Sequence, residues 1–432
     1  MAASVNKVHT RKPAQQGALQ DILLTEDDLD NISGWEKDID DNSLSTLLLS
    51  PVAQMFQKLV PDALAPNVLT VTGLVFVLHA LYHCIMYLEE WPVYTSVFVA
   101  CMFGSYHMAD LIDGKHARVT SNTSPLGFVV NMSCDFVGAP FLAIAYLLVM
   151  GINSNTVLWY AVQAVQMVFL WAQLTGFLKG GITFGLFTGP GEAVFVCSSM
   201  LLTRAVTLYL GINIDVVWPY IARFSASAWE KLPFKVDPQV HAIMVQARAQ
   251  GAVAYDMAMQ DPDLIAYYVT AFLYFCAFAF VCVRVILMPD KHSATRTNLV
   301  LSLLCRAVPS VFPILGIADG LTLDVVICDG LFLSVLIMDL VVARMAKREI
   351  HNLIPLMALL SLLDKYIILV IAVFYFATII HSIATHLNLP LFTIVRNVYI
   401  DGVFDLCHVG HKLHIQRAQE YGNRVIVLFQ MI

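Results

Sequence analysis

Apolar runs of about twenty residues, parted by short polar stretches, recur from residue 68 almost to residue 390. A helix rising ~1.5 Å per residue needs about that length to cross a hydrocarbon layer of ~30 Å. The runs predict spans near 68–88, 92–112, 125–150, 155–177, 190–212, 264–287, 298–317 and 322–343. The apolar stretch 353–386 is too long for one crossing, and Asp364–Lys365 interrupts it, which predicts two helices, the first short. Of the 432 residues, 58% are hydrophobic and only 13% charged, which excludes an ordinary soluble domain. The expected fold class is an all-α polytopic membrane protein with about ten transmembrane helices.

The flanks differ in character. Residues 1–42 are polar, and the negative charge behind the net −7 is concentrated in their nine acids; they are expected to form a disordered cytosolic tail. That charge argues against nucleic acid as a partner. No signal peptide is expected, since the first apolar run follows residue 43. Leu44, Leu47, Leu48, Val52, Met55, Phe56 and Leu59 recur at helical spacing, which predicts an amphipathic helix lying in the membrane interface. The nine cysteines show no paired spacing, so neither a disulfide framework nor a zinc site is indicated. Residues 214–263 read as an extramembrane loop. Lys115, Arg118, Lys179, Lys291, Arg296, Arg344, Lys347 and Arg348 fall in loops on one side, which by the positive-inside rule places both termini in the cytosol.

Acids at bilayer depth cost roughly 2.5–3.5 kcal/mol each, so they need a partner. Asp110, Asp113 and Asp135 flank two apolar runs. Asp110 and Asp113 are three apart and share a helical face. Gly127, Asn131 and Asp135 are spaced by four and form a stripe on the next helix. Oxygen ligands at this density suit a hard divalent cation such as Mg²⁺ or Mn²⁺.

This stretch resembles the CDP-alcohol phosphotransferase signature, D-x2-D-G-x2-A-R-x8-G-x3-D-x3-D. Asp110, Asp113, Gly114, Ala117, Arg118, Gly127 and Asp135 match it, and Asn131 stands at its third aspartate. The loop Thr120–Gly127 and the phrase F-T-G-P-G-E-A, which carries Glu192, resemble the choline and ethanolamine phosphotransferase branch. The likeness runs from about 43 to 388, the expected membrane domain. It implies two metal ions on Asp110, Asp113, Asn131 and Asp135. It further implies substrate binding by Gly114, Lys115, Ala117, Arg118 and Gly127. Transfer of phosphocholine or phosphoethanolamine from CDP-choline or CDP-ethanolamine to diacylglycerol, with release of CMP, is the implied reaction. The implied setting is the endoplasmic reticulum or Golgi membrane, with the site facing the cytosol, and a homodimer is compatible with it.

Two departures bear on catalysis. Asn131 removes a negative charge from the metal set. Met132 stands where that branch has a histidine proposed as the base, and Met cannot take a proton. Asp135 is one replacement, with Glu192 and His107 as further candidates. The alternative reading is a weakened or inactive family member that acts as a membrane scaffold for a cytidylyltransferase.

Residues 389–432 read as strand, turn, helix and strand, an incomplete α/β fragment. Its D-G-V-F-D-L-C-H-V-G-H resembles the head of the choline- and ethanolamine-phosphate cytidylyltransferases, where the histidines matching His408 and His411 bind CTP phosphates. Two strands and a helix bury too little to stand alone. No cytidylyltransferase activity is therefore expected from these 432 residues, which could be part of a longer fusion.

Overall fold

The computed structural model describes residues 22–429 except 38, 187–188, 213–261, 312–320, 403–408, 419–420 and 423. The expected loop 214–263 lies almost wholly outside the described residues. The long helices are α3 (Pro66–Tyr87), α4 (Pro92–Val119), α5 (Pro125–Val149), α6 (Asn155–Lys179) and α7 (Pro190–Tyr209). They continue with α8 (Pro262–Ile286), α9 (Ser293–Val311), α10 (Leu323–Ala346) and α12 (Lys365–Leu387), with the short α11 (Leu353–Leu360) before the last. Pro66, Pro92, Pro125 and Pro190 each open their helix, where a missing N–H costs nothing and the fixed φ is already helical.

The protein is an all-α polytopic membrane protein, with helices at all ten places the sequence marked. Among the described residues seven of them are long and apolar enough to cross a bilayer. By that measure α4, α9 and α11 fall short. The second half of α4 carries Asp110, Asp113, Lys115 and Arg118, and α11 has only eight residues. Asp364 ends the preceding turn by capping α12, accepting from the Tyr366 N–H at 2.7 Å.

Helix α10 is the axis of the bundle, buried almost without interruption from Cys328 to Ala346. Gly330 lets it approach α5 and α6 closely, for a Cβ there would lie 2.8 Å from Val162 and 2.9 Å from Pro140. Its acids are paired, as low-dielectric burial demands. Asp329 accepts from Arg306 at 3.3 Å and from the Trp159 indole at 2.8 Å. Asp339 accepts from Arg348 at 2.9 Å, the Tyr375 hydroxyl at 2.9 Å and the His351 N–H at 2.8 Å.

The amphipathic helix α2 (Leu44–Gln57) is present, with Leu47, Leu48, Met55 and Phe56 exposed along it. The expectation of a disordered tail over 1–42 is corrected from residue 22 onward; residues 1–21 lie outside the described residues. Thr25 and Asp28 form a capping box on α1 (Glu26–Ser33), whose Leu29 and Ile32 are buried. The acids that look disordering serve instead as caps and anchors: Asp30 meets His386 at 3.2 Å, and Asp28 lies 3.8 Å from Arg348. Trp35 packs on Phe128 with ring centroids 4.5 Å apart. Then β1 (Ile39–Asp41) pairs in parallel with β2 (Ile182–Phe184), in the α6–α7 connection.

At the other terminus β3 (Asn397–Gly402) and β4 (Arg424–Phe429) pair in parallel, joined through α13 (Val409–Ala418). The linker before β3 is fastened to the bundle. Asn67 donates to the Leu391 carbonyl at 2.9 Å, and the Val395 N–H donates to Asn122 at 2.8 Å.

Candidate active site

The α4–α5 turn creates the site. Ser121 takes a left-handed φ of 53°, and Ser124 caps α5 by accepting from the Gly127 N–H at 3.1 Å. The chain reverses there, so the last turns of α4 face the first turns of α5. The Asn131 amide donates to Asp110 at 2.7 Å and to Asp113 at 3.4 Å. Asp113 is buried and also accepts from the Thr70 hydroxyl of α3. Asp135, one turn beyond Asn131, accepts from the Tyr106 hydroxyl at 2.7 Å, and the charges of Asp110 and Asp113 act on it. The four residues expected to hold metal are thus gathered between two helices.

The donor set of three carboxylates and one amide oxygen has the hardness a divalent cation requires. Its present bonding is internal, with the amide turned N–H inward. Among the described residues no three His, Cys, Asp or Glu side chains converge tightly enough to hold an ion. Rotating the Asn131 amide by 180° would exchange its donor for a ligating oxygen with no backbone change. The residues therefore fit such an ion in kind.

The other expected site residues are placed as follows. Gly114 lies beside open space, since a Cβ there would meet nothing within 4 Å. Lys115 donates to Ser50 of α2 at 2.7 Å, and Arg118 is exposed at the end of α4. Ala117 is half-buried, and Gly127 faces Asn67 and Ser124. Near the turn a cavity of about 270 Å³ is lined by Asn67, Ser121, Asn122, Ser124, Leu389 and Thr393. Asn67 is three residues from Thr70, so one face of α3 runs from the cavity to Asp113.

His107 and Glu192 form a second group beside the first. The charges of Asp110, Glu192 and Asp41 all act on the His107 ring. Glu192 Oε1 accepts from the Ser45 N–H at 2.8 Å, which ties α7 to the start of α2. Gly191 allows the approach: a Cβ on it would lie 2.5 Å from the His107 ring and 2.7 Å from Ser45 Oγ.

Sequence reasoning missed Tyr106, Thr70, Ser45 and Asn67. Tyr106 and Thr70 had a usable signal, as polar residues inside apolar runs; Tyr106 is also one turn before Asp110. Ser45 and Asn67 reach the site through tertiary packing alone. Of the cytidylyltransferase-like pair, His411 sits in the first turn of α13, and His408 lies outside the described residues.

The fold and this cluster define a polytopic membrane protein with an acidic, polar cluster between adjacent helices. Residues 63–178, which contain the cluster, match the CDP-alcohol phosphatidyltransferase family, and this segment is a domain of that kind. The chain is 26% identical to Cholinephosphotransferase 1 of Saccharomyces cerevisiae over 57% of its own length and 62% of that protein. It is 29% identical to Cholinephosphotransferase 1 of Rattus norvegicus over 32% of its length and 37% of the relative. With Choline/ethanolaminephosphotransferase 2 of Arabidopsis thaliana it shares 26% identity over 36% of its length and 41% of the relative. The chain therefore spans between about a third and two thirds of the length of these relatives.

Proposed function

We propose that the protein is a membrane phosphotransferase that moves phosphocholine or phosphoethanolamine from its CDP carrier to diacylglycerol. The observation that carries this reading is the convergence of Asp110, Asp113, Asn131 and Asp135 one helical face away from a cavity at the α4–α5 turn. Asp110, Asp113, Asp135 and the Asn131 amide oxygen would hold Mg²⁺ or Mn²⁺, two ions in the full site. A bound divalent ion supplies stabilisation of the charge on phosphoryl oxygens.

The chain's own groups do the rest. The cytidine end lies in the cavity beside Asn67 and Ser124, and the diphosphate passes the bare backbone at Gly114. Arg118 and Lys115 offset phosphate charge, Arg118 with a planar fork. Asp135, held by the Tyr106 hydroxyl, takes the proton from the diacylglycerol hydroxyl. That oxygen attacks the β-phosphorus, and the bond to the α-phosphate bridge breaks to release CMP. Arginine and lysine placement supports a site on the cytosolic face; the family resemblance implies an endoplasmic reticulum or Golgi membrane, and a homodimer is compatible with it. Residues 43–388 make up the membrane domain, with residues 22–42 packed on it and 389–432 as a nucleotidyltransferase-like appendix.

A second reading is favoured by one contact. The Asn131 amide already donates to both Asp110 and Asp113, which would otherwise be free to hold an ion, and Met132 offers no base. An inactive scaffold for a cytidylyltransferase would look the same. CMP release from labelled CDP-choline and CDP-ethanolamine, in membranes with diacylglycerol and with Mg²⁺ or Mn²⁺ added or chelated, decides between them. Metal-dependent release supports the transferase. No release from the native chain, with release from Asn131→Asp, supports the scaffold.

A further inference from the structure

Three polar atoms beside the acidic cluster are buried without a hydrogen-bond partner: Ser45 Oγ, His107 Nε2 and Glu192 Oε2. Ser45 and His107 are only 4% and 6% exposed, so water does not solvate them freely. Their arrangement is local: Ser45 Oγ and His107 both lie against Gly191, and the Glu192 carboxylate, its Oε2 beside Gly189, accepts from the Ser45 N–H at 2.8 Å through Oε1. An orphaned buried carboxylate oxygen is costly, and three orphans in one place call for a donor. All three atoms can accept: the carboxylate oxygen, the hydroxyl lone pairs, and Nε2 when the imidazole proton is on Nδ1. The surrounding charge is negative, from Asp41, Asp110 and Glu192. A cationic donor with several N–H bonds would satisfy all three acceptors and the negative charge around them.

We propose that Ser45, His107 and Glu192 seat the primary ammonium of the transferred alcohol, which makes phosphoethanolamine the preferred group over phosphocholine. The inference rests on the CDP-alcohol reading and deepens it. A primary ammonium offers three N–H donors to three acceptors. A quaternary ammonium offers none, and would leave all three orphaned while adding three methyl groups against Gly191. The site lies one helical turn from Asp110, on the side of the cluster where α7 begins, so a headgroup attached to the β-phosphate reaches it. Under this assignment proton abstraction belongs to Asp135, and His107 and Glu192 set specificity.

The test uses the full chain in lipid nanodiscs with diacylglycerol and a series of CDP-ethanolamines bearing zero, one, two or three N-methyl groups. Each added methyl is expected to lower kcat/KM about tenfold, since each removes one donor from a charged hydrogen bond. Ser45→Ala and Glu192→Gln are expected to reduce use of CDP-ethanolamine selectively and so compress its advantage over CDP-choline. A flat profile across the series overturns the proposal and leaves the orphans to a buried water. Equal loss of both substrates in kcat alone overturns it too, in favour of a proton-transfer role. If no substrate turns over, the transferase reading fails separately. The subsite is then read by thermal stabilisation with CDP-ethanolamine against CDP-choline: a larger shift with the former supports it, and equal shifts sink it.

Discussion

Asn131 donates its amide to Asp110 at 2.7 Å and to Asp113 at 3.4 Å, so one neutral side chain holds two carboxylates of α4 against α5. The bond has two consequences. It relieves the repulsion between Asp110 and Asp113 with no cation present. It also lowers the negative charge available to an ion by one relative to a site with a third aspartate.

Asn131→Asp should reverse both. Three carboxylates would then face one another with no N–H between them, so the variant is expected to unfold at lower temperature in chelator than the native chain. Added Mn²⁺ should restore its stability, and half-saturation should come at a concentration on the order of tenfold lower than for native protein. Melting curves in detergent across a Mn²⁺ titration check this. Equal metal dependence in both proteins would remove Asn131 from the ion site.

The buried Asp339–Arg348 pair joins α10 to the segment that follows it, with Asp28 of α1 near the same guanidinium. Arg348→Met leaves Asp339 charged and without its cation in a fully buried position. The expected loss is about 3–5 kcal/mol of stability. Arg348→Met combined with Asp339→Asn should recover part of it, since the asparagine keeps an acceptor for Tyr375 and His351 without the charge. Thermal unfolding of the two variants measures the difference. A double variant no better than the single would mean that the pair's charge is not what the core responds to.

How far the sequence revealed this molecule depends on the kind of contact. The helices were legible from run length, and the break at Asp364–Lys365 was legible because Asp364 is a cap. The Asp110–Asp113 and Asn131–Asp135 stripes were legible because helical spacing alone fixes their faces. The order in residues 22–42 was not. There acidic composition suggested solvation, whereas Asp30 meets His386 and Asp28 lies near Arg348, both far away in the chain. Thr70 stood out as a polar residue in an apolar run, but its pairing with Asp113 was hidden, because it comes from α3, 43 positions away in the chain.

Asp41 gives the N-terminal segment a pH dependence. Burial pushes its carboxyl up, but hydrogen bonds from Ser43 and Thr46 and the charge of Lys37 outweigh this and hold it below the ordinary 3.8. A carboxyl with a depressed folded value stabilises the fold above 3.8 and loses that contribution as pH falls through the lowered value. Protection factors for hydrogen exchange at residues 39–46 should therefore be high at pH 5 and fall as pH is taken below about 4. Asp41→Asn should flatten this dependence. An unchanged profile in the variant would assign the transition to other acids.

Gly114 and Gly191 separate packing from substrate access. A Cβ at Gly191 meets the His107 ring at 2.5 Å and Ser45 Oγ at 2.7 Å, so Gly191→Ala must push α7 away from α2 and α4. Overpacking of this kind costs about 1–3 kcal/mol, and the variant should melt at lower temperature as well as lose activity. At Gly114 a Cβ meets nothing within 4 Å, and the position is interior to α4. Gly114→Ala should hold stability or raise it by up to about 1 kcal/mol through helix propensity. Its CMP release should nonetheless fall at least tenfold, mainly through a higher KM for the CDP-alcohol, because the methyl group fills the space along which the diphosphate is proposed to pass. Native turnover in Gly114→Ala would show that the nucleotide does not approach this face of α4.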